Sequence, residues 1–289
     1  MKDMIKTYST FIIYSYLPIL VVLGFYIFGK TYSSSNMDDV LLLNVICDFS
    51  FIVILSIINF DIFKKHKKLE GKTTGKKVLN FIKIALLSVL ILYGIKMIVA
   101  IFVAIIQVTF KLNTKADNQD LVEQLFKMAP VLNIIMGVVL APITEELVFR
   151  GAVRRIIKNN WVFVIVSGLL FGLVHVLSTN IPIFVILILG CLIDVIVTSK
   201  IKKKKKVGLS VLASAVMLLV LVLSLHVLSG NVVTLITSIN VSEAVNSLVY
   251  ITMGIGFAFI YKKYDNIYLN ILCHSVNNAI GYILLLTLL

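Results

Sequence analysis

Long apolar stretches alternate with short polar ones along the whole chain. Runs rich in Ile, Leu, Val and Phe cover 10–28, 40–63, 78–110, 129–149, 161–176, 181–199, 207–229, 246–261 and 267–289. Most reach or approach the roughly 20 residues that carry a helix across a bilayer core, and no period-two alternation of half-buried strands stands out. The pattern predicts an all-α, polytopic transmembrane helical bundle of about nine helices, or eight. The first run follows Lys2 and Lys6 as a signal peptide would, but it is too long and lacks a small-residue cleavage site before Lys30. A retained first helix is therefore expected. No Pro-rich linker or internal repeat divides the chain, which reads as a single integral membrane domain over 1–289.

Composition agrees with this. Of 289 residues, 60% are hydrophobic and 14% charged, whereas soluble domains run near a quarter charged. The 27 Lys+Arg against 14 Asp+Glu leave a net charge of +13. In a soluble chain that excess would suggest nucleic acid; here the bases sit between bilayer-length runs, and no nucleic-acid partner is expected. Cys47, Cys191 and Cys273 lie inside apolar runs, without the spacing of a disulfide framework or a Cys-based zinc site.

Placing the amino terminus in the cytoplasm and alternating strictly sorts the charges. Twenty-one of the 27 basic residues then fall on the inner face: Lys2 and Lys6, seven lysines in 64–77, Arg150, Arg154, Arg155 and Lys158, six lysines in 200–206, and Lys262 with Lys263. Topology accounts for these lysine loops, and anionic lipid is their expected partner, at about 1 kcal/mol per residue near the surface. The outer loop 111–128 mixes Asp117, Asp120 and Glu123 with lysines and is expected to form a short amphipathic surface helix.

An ionisable side chain in hydrocarbon is costly, so each one is a candidate site. Those inside apolar runs are Asp48, Lys96, Glu145, Glu146, His175, Asp194, His226 and His274. Asp48 and Lys96 are candidates to pair across helices, His226 to be a packed hydrogen-bonded residue, and Asp194 to approach the inner interface. The other four converge. If Asn159-Asn160 is the turn of an antiparallel pair, Glu145 and His175 each lie about 21 Å from it along their helices. His274 lies about 13 Å past the break at 264–266, at a similar depth. Asn278 follows His274 by four residues and shares its face. Glu146 and Arg150 have the same spacing, which predicts an intrahelical ion pair with Arg150 snorkelling to the inner surface. Phe171, one turn before His175, would wall the imidazole.

A carboxylate, two imidazoles and a carboxamide at one depth can activate water and receive an oxyanion. Either Glu145 or Glu146 could be the base, with His175 sharing the water and His274 and Asn278 donating to a tetrahedral intermediate. The alternative is a buried polar network joining three helices. A proton-coupled transporter fits less well, for no repeated half is visible. The chain has no His-Glu-x-x-His helix, Gly254-Ile255-Gly256 is followed by Phe257 rather than Asp, and no serine has a Gly-x-Ser-Gly setting.

Glu145-Glu146-Leu-Val-Phe-Arg150-Gly151, Phe171-Gly-Leu-Val-His175 and His274-Ser-Val-Asn-Asn278 resemble the three motifs of the CPBP family, the CAAX-protease and bacteriocin-processing (Abi) intramembrane proteases. The resemblance covers 129–282 as a catalytic core, after amino-terminal helices in 1–128. It implies an intramembrane endopeptidase in which Glu145 acts on the attacking water with His175, His274 and Asn278 form the oxyanion site, and Glu146 and Arg150 support them. It implies a peptide or protein substrate within or at the membrane. The shared depth of Glu145, His175, His274 and Asn278 predicts approach from the cytoplasmic side, and the richness in lysine, isoleucine and asparagine points to a multi-pass protein of a bacterial plasma membrane. A non-proteolytic regulator or bacteriocin-immunity scaffold of the same family is the competing function. Zinc held by Glu145, His175 and His274 and a metal-free glutamate mechanism both suit these donors. One departure is an inserted helical hairpin at about 181–240, where compact members have a short loop.

Overall fold

The computed structural model describes residues 2–33, 36–64, 74–112, 116–175 and 241–288. The hairpin expected at 181–240 lies outside the described residues, together with Cys191, Asp194, His226 and the lysines of 200–206. Among the described residues the chain is helical without strands: α1 Lys2–Ile27, α2 Met37–Ile58, α3 Phe60–Lys64, α4 Thr74–Phe110, α5 Asp117–Met128, α6 Pro130–Ile156, α7 Asn160–Val174, α8 Val241–Tyr264 and α9 Ile267–Leu288. Five of these, α2, α4, α6, α8 and α9, are long and apolar enough to cross a membrane. The halves of α1, Ile5–Tyr14 and Tyr16–Ile27, meet at 48° and make a sixth span if the two are taken together. Pro18 inside α1 explains the bend, for it offers no N–H to the carbonyl four residues back. The chain is a multi-pass membrane protein.

Polar residues end the helices where the apolar runs stop. Asn159 caps α7, its Oδ1 accepting from Trp161 N at 3.0 Å and Val162 N at 3.1 Å. Asn266 does the same for α9, accepting from Leu269 N at 3.0 Å, after Asp265 turns the chain with φ +46°. The run expected over 40–63 is broken at Asn59, which is fully buried and donates to Leu55 O and Thr10 Oγ1. A side chain that satisfies its own helix's carbonyl and a neighbouring helix stops α2 and restarts the chain as α3. In the loop over 111–128, α5 is amphipathic as expected, with acids in its first turn, Lys127 in its last, and Leu125 and Phe126 buried.

Of the segments expected to share the basic face, those among the described residues share one end of the bundle. Lys6 of α1 and Arg155 of α6 both reach Asp61 of α3, at 2.5 and 2.8 Å, and Arg155 also donates to Asn59. Tyr268 at the start of α9 donates to Phe63 O, and Lys262 stands over the ring of Trp161. At this end Asp61 is pushed up by partial burial, but Lys6 and Arg155 outweigh that and hold its carboxyl below the ordinary carboxylate range.

Two local devices set the geometry of the middle. The first is close packing of α7 on α8. Gly168 and Gly172, spaced as G-x-x-x-G, lie so near α8 that a Cβ would sit 2.7 Å from Ile255 N at Gly168 and 2.5 Å from Ile251 N at Gly172. The second is in α6, where Ile135–Leu140 and Glu146–Ala152 are wound as π-helix on either side of Ala141–Glu145. Pro142 has no N–H and its ring crowds the carbonyl four residues back, which suits a widened turn before it. In the second wide turn, Phe149 O accepts from Ser167 Oγ of α7 at 2.7 Å.

Candidate active site

Three helices bring the expected residues together. Glu145 stands at the last α-helical position of α6 before the second π turn, His175 just past the end of α7, and His274 at the start of the third turn of α9. Glu145 Oε2 lies 3.7 Å from His175 Nε2 and 3.6 Å from His274 Nε2. This oxygen is buried and has no hydrogen-bond partner among the described residues. Buried carboxylate oxygens are almost always satisfied, so an exception facing two ring nitrogens marks a place built for something else.

Each imidazole is turned by its other nitrogen. His175 Nδ1 is 2.6 Å from Phe171 O, and since a carbonyl only accepts, Nδ1 carries a proton there. The ring lies between Phe171, at 4.4 Å, and Tyr250, at 5.2 Å. His274 Nδ1 is 2.9 Å from Glu146 Oε1, and its ring stacks on Phe257 at 4.6 Å. Both Nε2 atoms are thereby aimed at Glu145.

Glu146 does a different job from its neighbour. It is fully buried and saturated: Oε1 accepts from Arg150 Nη1 at 2.9 Å and meets His274, while Oε2 accepts from Asn270 Nδ2 at 2.6 Å. The expected Glu146–Arg150 pair is present, but the expected snorkelling is not. Arg150 has 0% exposure, donates to Gly254 O at 3.0 Å, and lies 4.6 and 5.4 Å from the ring centres of Phe171 and Phe257. The paired carboxylate, the carbonyl and two π faces hold the guanidinium inside, so it has no need to reach the surface.

The group lines a cavity of about 560 Å³ whose wall also includes Asn278. Asn278 donates to Gly137 O at 2.8 Å and accepts from Asn277 at 3.0 Å, leaving one amide hydrogen for a ligand. Asp48 and Lys96 line the same cavity, and no ion pair joins them; Lys96 Nζ lies over Tyr93 at 4.9 Å instead. Their expected pairing is corrected, and both become wall residues of the site. Sequence reasoning also missed Asn270, Tyr250 and Phe257. Asn270 had a signal, for Asn270, His274 and Asn278 repeat at i, i+4 and i+8 on one face of α9.

Zinc takes imidazole nitrogen and carboxylate oxygen, so the donor types are right. As arranged, however, no group of three or more His, Cys, Asp or Glu among the described residues could hold a metal ion.

Residues 127–205 match the family model described as Type II CAAX prenyl endopeptidase Rce1-like. The matched segment holds Glu145, Glu146, Arg150, Phe171 and His175, while His274 and Asn278 lie beyond it. No curated protein and no solved structure matches the chain.

Proposed function

We propose, on the strength of the match over 127–205, that the chain is a CAAX-type (CPBP) intramembrane endopeptidase using a glutamate-activated water. The observation that carries this reading is the unpartnered, buried Glu145 Oε2 facing the Nε2 atoms of His175 and His274 at 3.7 and 3.6 Å. The gaps are too long for hydrogen bonds and suit a small polar guest between the three groups. Water held there gives its proton to Glu145 as its oxygen attacks the scissile carbonyl carbon. His175, its Nδ1 proton fixed on Phe171 O, offers Nε2 to the same water. The carbonyl oxygen becomes an oxyanion, received by the remaining Asn278 amide hydrogen and by Nε2–H of His274 as an imidazolium whose Nδ1–H is held by Glu146, the kind of fixed donors that lower such barriers most. Glu145 then passes the proton to the departing amine nitrogen as the C–N bond breaks, leaving a carboxylic acid and an amine.

Glu146, Arg150 and Asn270 position the donors. Glu146 holds His274 by Nδ1, and Arg150 with Asn270 holds Glu146. The reading extends to a bacterial plasma membrane as location, a membrane-associated peptide or precursor as substrate, and anionic lipid at the basic loops. The test replaces Glu145 with Gln and His274 with Ala in cells, verifies membrane insertion, and compares the cleaved membrane peptides with those of the unsubstituted chain. Both variants are expected to lose the same set of products. Unchanged products in both would replace the endopeptidase with the non-proteolytic regulator.

A further inference from the structure

Asn278 takes its direction from a backbone carbonyl that α6 leaves free. In regular α-helix Gly137 O would accept from Ala141 N, but in the first π turn Ala141 N–H goes to Met136 O instead. A π bond to Gly137 O would have to come from residue 142, and Pro142 has no N–H. Within a membrane-spanning helix a carbonyl left over in this way needs another donor. Asn278 Nδ2 supplies it at 2.8 Å. Because a carbonyl only accepts, this contact fixes which end of the carboxamide faces α6. Asn277 Nδ2 donates to the other end, Oδ1, at 3.0 Å.

A second rung holds the first. One turn on from Asn278 in α9 is Tyr282, and one turn back from Gly137 in α6 is Asn133, which is buried. Tyr282 Oη donates to Asn133 Oδ1 at 2.6 Å and lies 3.1 Å from Asn133 O. The Tyr282 ring packs on Phe126 of α5, with centres 5.8 Å apart. Its edge covers Gly137, where a Cβ would sit 2.7 Å from Tyr282 Cε2 and 2.8 Å from Cζ. Only glycine lets the tyrosine lie there. Tyr282 thereby sets the spacing of α6 and α9 beside Asn278, and that spacing decides where the remaining amide hydrogen points.

We propose that Tyr282 and Gly137 are positioning residues of the reaction: together they seat the Asn278 carboxamide on Gly137 O, so that its second N–H faces the oxyanion. Neither touches the reacting atoms, and both act through Asn278. The catalytic consequence rests on the endopeptidase reading; the seating of the carboxamide does not.

The test is a double-mutant cycle of Asn278→Ala with Tyr282→Phe and with Gly137→Ala, read on the purified full chain by cleavage kinetics and by thermal unfolding. The substrate is a synthetic peptide spanning a cleavage site that Glu145→Gln loses in cells. Asn278→Ala is expected to lower kcat about 100- to 1,000-fold, as the loss of one oxyanion donor does. Gly137→Ala displaces that donor and is expected to lower kcat about 100-fold. Tyr282→Phe keeps the ring, loses the bond to Asn133, and is expected to lower kcat about 3- to 10-fold. KM should stay unchanged in all three, since the donor acts in the transition state. In the Asn278→Ala background neither substitution is expected to lower kcat further, because the group they seat is gone. Additive losses in kcat, or a raised KM with kcat intact, overturn the proposal. In unfolding, Tyr282→Phe with Asn278→Ala is expected to lose less than the sum of the single shifts; additive shifts overturn the seating. Should Gly137→Ala fail to insert, Tyr282→Phe decides both readouts. Because unfolding needs no turnover, coupled unfolding in a chain without Glu145-dependent products would sink the endopeptidase and support the seating.

Discussion

Two networks of charge joined by hydrogen bonds among the described residues differ in their surroundings. At the basic end, Lys6 and Arg155 share Asp61, with Lys6 and Asp61 at 25% and 31% side-chain exposure. In the middle, Glu146 and Arg150 are both at 0%. Solvent screens the first, and such pairs contribute about 0–1 kcal/mol. The second has no solvent to fall back on, so each charge needs every partner it has. The exposed network ties α1, α3 and α6 together, and a loss there is met by water. The buried one gives rigidity to an imidazole, and its high cost is the reason to attribute a purpose to it.

Removing one partner gives the largest expected effect. Arg150→Ala leaves Glu146 charged and uncompensated among buried groups, and a loss of about 3–5 kcal/mol is expected. Thermal unfolding in detergent would measure it, and a small shift would mean that Glu146 is not held as a charge. A sharper version replaces both partners, Glu146→Gln with Arg150→Met. Apolar or neutral substitutes of similar size recover most of the stability of a buried pair. Cleavage is not expected to recover, because Nδ1 of His274 loses its carboxylate. Recovery of both would make the network structural only.

Next in size is Glu145→Gln, which separates two adjacent glutamates by role. Glu145 Oε2 has no partner to lose, so stability should hold within about 1 kcal/mol, whereas loss of a general base costs about 100- to 10,000-fold in rate. Rate and unfolding measured on one preparation decide it. Zinc analysis on the same active preparation tests the metal-free route: cleavage should survive chelation, and stoichiometric zinc with chelator-abolished cleavage would make Glu145, His175 and His274 ligands.

Much of this middle region was legible in the sequence because a helix has a fixed rise. Counting from Asn159-Asn160 and from 264–266 brought Glu145, His175 and His274 to one level, and the structure has them within 3.7 Å. Rise does not determine which way a side chain faces. The π turns on both sides of Glu145 alter the helical register, so sequence spacing left open which glutamate met which histidine. Arg150 was misplaced for a related reason: its i, i+4 partner was visible, but Gly254, Phe171 and Phe257, which keep it inside, come from α7 and α8. Asp48 and Lys96 were noticed as charges and paired wrongly, because a shared cavity is a property of seven helices at once.

The glycine seam under His175 links the two networks in size. Gly172→Val puts a branched side chain where even a Cβ lies 2.5 Å from Ile251 N, and such overpacking costs about 1–3 kcal/mol. Because α7 must move away from α8, His175 moves with it, and cleavage should fall more than stability does. Gly94, with nothing within 4 Å of its Cβ position, is the control: Gly94→Ala should leave both unchanged. Equal losses in the two variants would break the link between the seam and the site.

The smallest effect belongs to the exposed network, and its sign is testable. Asp61 is pushed up by burial but held below the ordinary carboxylate range by Lys6 and Arg155. A carboxyl whose folded value is depressed stabilises the fold fully above its unfolded value, and that stabilisation is lost as pH falls through the folded one. Asp61→Asn should therefore cost under about 1 kcal/mol at neutral pH, less at high salt, and nothing once the medium is acidic enough to protonate the native side chain. Unfolding of both proteins across that range, at low and high salt, gives two curves that should merge at the acid end. A gap that persists in acid would mean that Asp61 acts through Arg155 packing rather than charge, and the contrast between the two networks would then be one of shape as much as of solvent.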